Sequence, residues 1–307
     1  MSSVDGANLP PYYYDPNSYL FNKYGYVPSI AMNTVFVVLF AISLLIHTGQ
    51  LVVARRSWFM AVMPIGCLLE VIGYAFRLYS HGDVAARSPY IGQLATLVIA
   101  PTFFSAALYW SLGLIIALVA PTKTFVSARW FKIIFVVADV VSLVIQAIGG
   151  GMAGSAGDDR DKLQTGSRVM LAGIAFQLAV MVIFVGYGCY WCLRAHREIR
   201  EAGSRMQLML GSMAVASACI IARGIFRTCE LNEGFRGRLA EGQRFILVDA
   251  IPMILCTLVL SAIHPAWYLV SKQAGLPTTT TPFQSQSKNQ SETTFAPTGT
   301  PPTNEKA

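Results

Sequence analysis

Seven long apolar runs, separated by short polar and turn-forming stretches, organise this chain. They lie near 30–54, 58–79, 90–119, 130–153, 168–193, 206–228 and 245–270. A helix needs about 20 apolar residues to cross the hydrocarbon core of a bilayer, and each run meets that length. Strand-like alternation is absent, and lipid tolerates no unpaired backbone, so the spans are predicted to be helices. The expected fold is all-α: a seven-transmembrane-helix bundle over 30–270, preceded by an extracellular segment at 1–29 and followed by a disordered cytoplasmic tail at 271–307.

The edges of the runs refine this outline. The first, IAMNTVFVVLFAISLLIHTGQLVVA, ends at Arg55 and Arg56. The residues before it are polar and tyrosine-rich, without a basic start and apolar middle, so no cleavable signal peptide is expected and the first span acts as its own insertion signal. Pro64, Pro101 and Pro252 fall inside apolar runs, where each is expected to kink its helix. Gly149, Gly150 and Gly151 close the fourth span, which allows tight packing or an unwound turn. From Gln273 the chain is rich in Thr, Ser, Pro and Gln, a composition that cannot form a core.

Composition changes the picture in one respect. Hydrophobic residues make up 54% of the 307 and charged residues only 13%, about half the charged share of a soluble domain. The net charge of +7 is therefore read as basic residues facing lipid headgroups, and not as a nucleic-acid footprint. Lysines and arginines are almost evenly divided between the two sides. Arg55 and Arg56, adjoining the C-terminal end of the first span, favour an outside N-terminus and a cytoplasmic C-terminus. The sequon Asn289-Gln290-Ser291 then lies in the cytosol.

Several chemistries find no support. There is no P-loop, and the six cysteines form no extracellular disulfide framework. Cys189 and Cys192 make a lone C-x-x-C, read as packing or palmitoylation. His47 and His264 do not form a histidine metal site, and no lysine deep in the seventh span offers a Schiff base. No metal or cofactor is expected. DDRD at 158–161 lacks the spacing of a diphosphate-metal site and is read as a solvated acidic loop.

Charges inside the spans carry the chemistry, because each costs several kcal/mol at membrane depth unless paired or hydrated. Glu70, Tyr74 and Arg77 share one helical face. Asp139 and Gln146 share another, with Ser142 between them. Arg223, Arg227 and Glu230 form a third stripe, and Asp249 opens the last span. These residues read either as structural ion pairs or as a polar cavity, open to the outer leaflet, for an amphipathic headgroup.

The motifs around these positions resemble the fungal RTA-like family, also called lipid-translocating exporters. The likeness rests on YGYVPS at 24–29, E-x-x-G-Y-x-x-R at 70–77 and P-x-x-x-x-A-A-x-Y at 101–109. It continues with D-x-x-S-x-x-x-Q-x-x-G-G-G at 139–151, R-x-x-F-R-x-x-E at 223–230, and Asp249 before His264-Pro265. Phe245, after Arg244, departs from the tyrosine-bearing segment expected there. The resemblance implies a fungal plasma-membrane protein whose relatives are associated with resistance to toxic amphiphiles and export of sphingoid long-chain bases. The expected function is an exporter or translocator acting on membrane lipids or amphiphilic small molecules, and not an enzyme. A seven-helix lipid-responsive sensor and, less favoured, an intramembrane enzyme are the alternatives. Without an ATPase motif, either uphill export draws on an ion gradient, with Glu70, Asp139 and Asp249 as candidate proton carriers, or the protein only equilibrates lipid between the leaflets.

Overall fold

The computed structural model describes residues 27–53, 58–84, 86–156, 159–233 and 244–263. Among these residues there are eight α-helices and no strand: α1 (Ile30–Val53), α2 (Val62–Tyr79), α3 (Arg87–Val119), α4 (Ala128–Ser155), α5 (Arg160–Arg194), α6 (His196–Glu201), α7 (Ser204–Glu233) and α8 (Arg244–Ala262). Six helices are long and apolar enough to cross a membrane, and α8 adds a shorter apolar stretch over Leu247–Ala262. The expected tail and His264-Pro265 lie outside the described residues, as does the N-terminal segment through residue 26.

The outer face of the spans is apolar, and the polar side chains within them point inward, among a large apolar core. On α1, Leu45 and Val52 are exposed while Asn33, Ser43 and His47 are buried. On α4, Val137, Val141, Val144 and Ile148 face out, and Asp139, Ser142 and Gln146 face in. Lipid accepts the aliphatic groups without penalty, whereas a polar group must find a partner inside the protein. Consecutive spans are neighbours, α7 packs on α5, and α8 closes the ring by packing on both α7 and α1. The most buried span is α3, which also touches α7 and α5. A polar clasp seals the closure. His47 Nε2 lies 3.0 Å from Ser261 Oγ, Gln50 donates to the Ser261 carbonyl at 2.8 Å, and Thr257 Oγ1 donates to Ser43 Oγ at 3.3 Å.

Some sequence expectations change. Pro64 starts a helix instead of kinking one: a 3-10 turn at Trp58–Ala61 leads into α2, of which Pro64 is the third residue. First-turn amides have no intrahelical partner, so proline costs nothing there. Pro101 and Pro252 do lie within helices. The fifth span begins eight residues earlier than expected, because Asp159 caps α5 by accepting from the amides of Asp161 and Lys162 at 3.1 and 3.0 Å. Part of the acidic DDRD stretch is thus a helix start. The short helix α6 was not expected; Glu198 on it lies 3.6 Å from Lys123, which ends a 3-10 turn at Pro121–Lys123 between α3 and α4.

The glycine triplet does not unwind, since α4 runs on to Ser155. Its first member brings α4 against α5. A methyl group at Gly149 would sit 2.3 Å from the Met170 amide nitrogen, and one at Gly166 would sit 2.4 Å from that of Ala153. Two backbones can approach this closely only where neither carries a side chain.

Candidate functional site

Arg223 is the hub of a buried charge network. Its Nη1 donates to Glu70 Oε1 at 2.7 Å, its Nε to Asp249 Oδ1 at 2.9 Å, and its Nη2 to the Leu97 carbonyl at 2.8 Å. One turn on, Arg227 grips the same carboxylate, with Nε at 2.8 Å from Oδ1 and Nη2 at 2.6 Å from Oδ2, and its Nη1 reaches Glu230 at 3.2 Å. Asp249 thus receives both guanidiniums. Helices α2, α3, α7 and α8 meet here through charge-assisted hydrogen bonds, the strong class. Arg77 is buried on the same face of α2 as Glu70 and donates to Gln93 of α3 at 3.3 Å. Tyr74 packs by its ring, stacked on Phe40 at 5.7 Å and tilted against Phe36 at 5.2 Å. Among the described residues, its hydroxyl and Glu70 Oε2 are buried without a hydrogen-bond partner.

A second polar set spans α3, α4 and α5. Asp139 Oδ2 lies 2.5 Å from Ser105 Oγ, and the Tyr109 hydroxyl is close enough to interact with the same carboxyl. Gln146 donates to Ser142 Oγ at 2.7 Å and to Gln177 Oε1 at 3.0 Å; Gln177 passes the chain on to Thr102 Oγ1 at 2.9 Å. Ser142 in turn donates to the Gly173 carbonyl at 2.6 Å.

Between the two sets lies a narrow cleft with a cavity volume of about 50 Å³. Its apolar walls come from Leu97, Pro101, Ile174, Leu178, Met181 and Ile220. Arg223 and Arg227 line one side, and Ser105, Tyr109, Gln146 and Gln177 the other.

Of the residues singled out in the sequence, Glu70, Tyr74, Arg77, Arg223, Arg227, Glu230 and Asp249 gather around the first network, while Asp139 and Gln146 belong to the second. Only Arg223, Arg227 and Gln146 line the cleft; Asp139 is one hydrogen bond behind Ser105. Sequence reasoning missed Thr102, Ser105, Tyr109 and Gln177. The first three lie within the 101–109 motif, and Gln177 is the sole amide side chain in the apolar run at 168–193. Asp139 stands apart chemically. Glu70, Glu230 and Asp249 each have an arginine partner, whereas Asp139 makes no ion pair among the described residues.

A polytopic helical membrane protein with a charged interior and a cleft walled half by polar and half by apolar groups is the class this arrangement defines. Residues 63–272 match the family described as "RTA1 like protein", and the chain belongs to that family. It is 30% identical to the "Sphingoid long-chain base transporter RSB1" of Saccharomyces cerevisiae (strain Lalvin EC1118), over 83% of this chain and 76% of the relative. It is 28% identical to "Protein RTA1" of Saccharomyces cerevisiae (strain S288c), over 80% and 85%. It is 31% identical to "Protein RTM1" of Saccharomyces cerevisiae, over 66% and 67%. No solved structure matches the chain.

Proposed function

We propose that the protein translocates amphiphiles with a cationic headgroup, sphingoid long-chain bases or compounds like them, across the fungal plasma membrane, and so confers resistance to toxic amphiphiles. Asp139 carries this reading. A buried carboxyl with no cation of its own, beside a cleft with apolar walls, is complementary to an ammonium group on an aliphatic chain. Gln146, which lines the same cleft and whose Oε1 has no hydrogen-bond partner among the described residues, offers a further acceptor for the hydroxyls or amine of such a headgroup. The name of the RSB1 relative supports the substrate class. The activity is transport without chemical change, so the buried carboxyls act as binding groups. Arg223 and Arg227 form the opposite wall, and Glu70, Tyr74, Arg77, Glu230 and Asp249 behind them fix its shape.

Reconstituted vesicles test this directly. The protein should speed the crossing of a labelled sphingoid base well above protein-free vesicles. Asp139→Asn should reduce that crossing at least about tenfold, the cost of one lost charge-assisted contact, while the variant still folds. A wild-type protein that moves no sphingoid base sinks the proposal.

In this reading the N-terminus is outside and the tail from 271 is cytoplasmic. Asn289 should then remain unmodified, because glycosylation requires the lumen. Endoglycosidase treatment of protein made in a eukaryotic host should leave its electrophoretic mobility unchanged; a shift lost on Asn289→Gln would reverse the orientation.

A further inference from the structure

The amide of Gln146 is fixed from several sides. Its stem lies against α5 where Gly173 has no side chain: a methyl group there would sit 2.6 Å from Gln146 Cγ. Its Nε2 donates to Ser142 Oγ at 2.7 Å and to Gln177 Oε1 at 3.0 Å, which uses both amide hydrogens. Ser142 sends its own hydrogen to the Gly173 carbonyl at 2.6 Å, a group that can only accept. The donors thus run one way along the chain, and Oε1 of Gln146 is left over. The residue is 3% exposed, and this oxygen is buried and accepts from nothing among the described residues.

The other polar groups lining the cleft donate elsewhere. Ser105 donates to Asp139, Gln177 to Thr102, and Tyr109 to the Met181 sulfur at 3.8 Å. Arg223 and Arg227 across the cleft bond to carboxylates. A buried acceptor left unmet is costly, so a ligand that brings the missing donor is favoured over one that does not. Asp139 and Gln146 call for different donors. An ammonium gains about twice as much from a carboxylate as a neutral donor gains from a neutral acceptor, which assigns the charge of a ligand to Asp139. The neutral amide oxygen is left for a neutral donor, a hydroxyl.

We propose that Gln146 is a specificity residue: it selects amphiphiles that carry a hydroxyl near the amine, and a plain long-chain amine is a poor ligand. This rests on the reading of the cleft as an amphiphile path with Asp139 as the ammonium site, and it names what else the headgroup must carry. Seven residues of helix set the two α4 positions about 10 Å apart. Gln146 leans back one turn to reach Ser142, so a headgroup of a few atoms meets both. A site that bonds a hydroxyl rejects the analogue lacking it, because its own buried acceptor is then stranded. Ser142 and Gln177 act through Gln146 as positioning residues, since they hold the amide nitrogen and so fix where its oxygen points.

Displacement of a fluorescent long-chain amine from the full-length protein in mild detergent tests this with three probes of one chain length. Sphinganine carries an amine and hydroxyls, its di-O-methyl ether keeps the oxygens without their hydrogens, and octadecylamine has the amine alone. Sphinganine should bind about tenfold more tightly than either analogue, the effect of one buried acceptor met or unmet. Gln146→Met should bring the three affinities within about twofold of one another. If that variant does not fold, Ser142→Ala serves in its place: it frees one N–H of the amide and should cut the preference at least about threefold. A preference that survives intact in the folded variant overturns the role of Gln146. Equal binding of all three probes by the wild type overturns the selection and leaves the amphiphile path standing. If neither the fluorescent amine nor any probe binds, the amphiphile path itself is refuted, a distinct outcome.

Discussion

Arg223→Ala should leave almost no folded protein in the membrane. The side chain is 3% exposed and joins Glu70, which is fully buried, to Asp249 and to the Leu97 carbonyl. Its removal strands Glu70 in a low-dielectric interior with no partner, a loss of about 3–5 kcal/mol. Glu70→Gln is expected to be milder, because the amide oxygen still accepts from Arg223 and Asp249 still neutralises it. The double change Glu70→Met with Arg223→Met should recover part of what Arg223→Ala loses, since it removes donor and acceptor together. Detergent melting curves and the monodisperse fraction on size-exclusion chromatography measure all three. A wild-type melting temperature for Arg223→Ala would mean that water hydrates this network and that it holds nothing together.

Within the run Gly149-Gly150-Gly151, substitution by valine should be severe at the first position and mild at the last. At Gly149 a side chain collides with the Met170 amide nitrogen at 2.3 Å, which is backbone and cannot step aside, so α4 and α5 must separate. The penalty is on the order of 3 kcal/mol or more, the upper end for overpacking. At Gly150 the nearest atom is the Met170 sulfur at 3.9 Å, and at Gly151 nothing lies within 4 Å. Gly151→Val should therefore melt within a degree or two of wild type, about the change expected of an exposed substitution. Equal losses at the two positions would contradict the close contact between α4 and α5.

The spans were legible because lipid imposes one rule on every residue: apolar groups outward over a fixed length. Asp139, Arg223 and Asp249 were legible for the same reason, since a charge in such a stretch is too costly to be incidental. Pairing was not. Nothing in spacing along one helix says that Arg223 reaches Glu70 across the bundle while Arg77 turns to Gln93, because inter-helix contacts depend on helix rotation and tilt. Small polar residues were also silent. Ser105 and Thr102 cost little in a membrane helix and so raise no alarm, yet Ser105 is the direct partner of Asp139. The run of three glycines looked uniform, and only the approach of α5 distinguishes its first member from its third.

The clasp between α1 and α8 has a consequence for biosynthesis. His47 bonds to a carbonyl 210 residues further along the chain. At ordinary rates of translation, roughly 5–20 residues per second, the later helix emerges about 10–40 s after the earlier one. Throughout that interval His47, Ser43 and Gln50 lack the partners on α8 that the finished protein gives them. A nascent α1 must be sheltered by the insertion machinery or by α2, or its imidazole faces lipid. Chains truncated before Thr257 would keep that defect permanently. They would present membrane quality control with a polar helix face that no later segment arrives to cover.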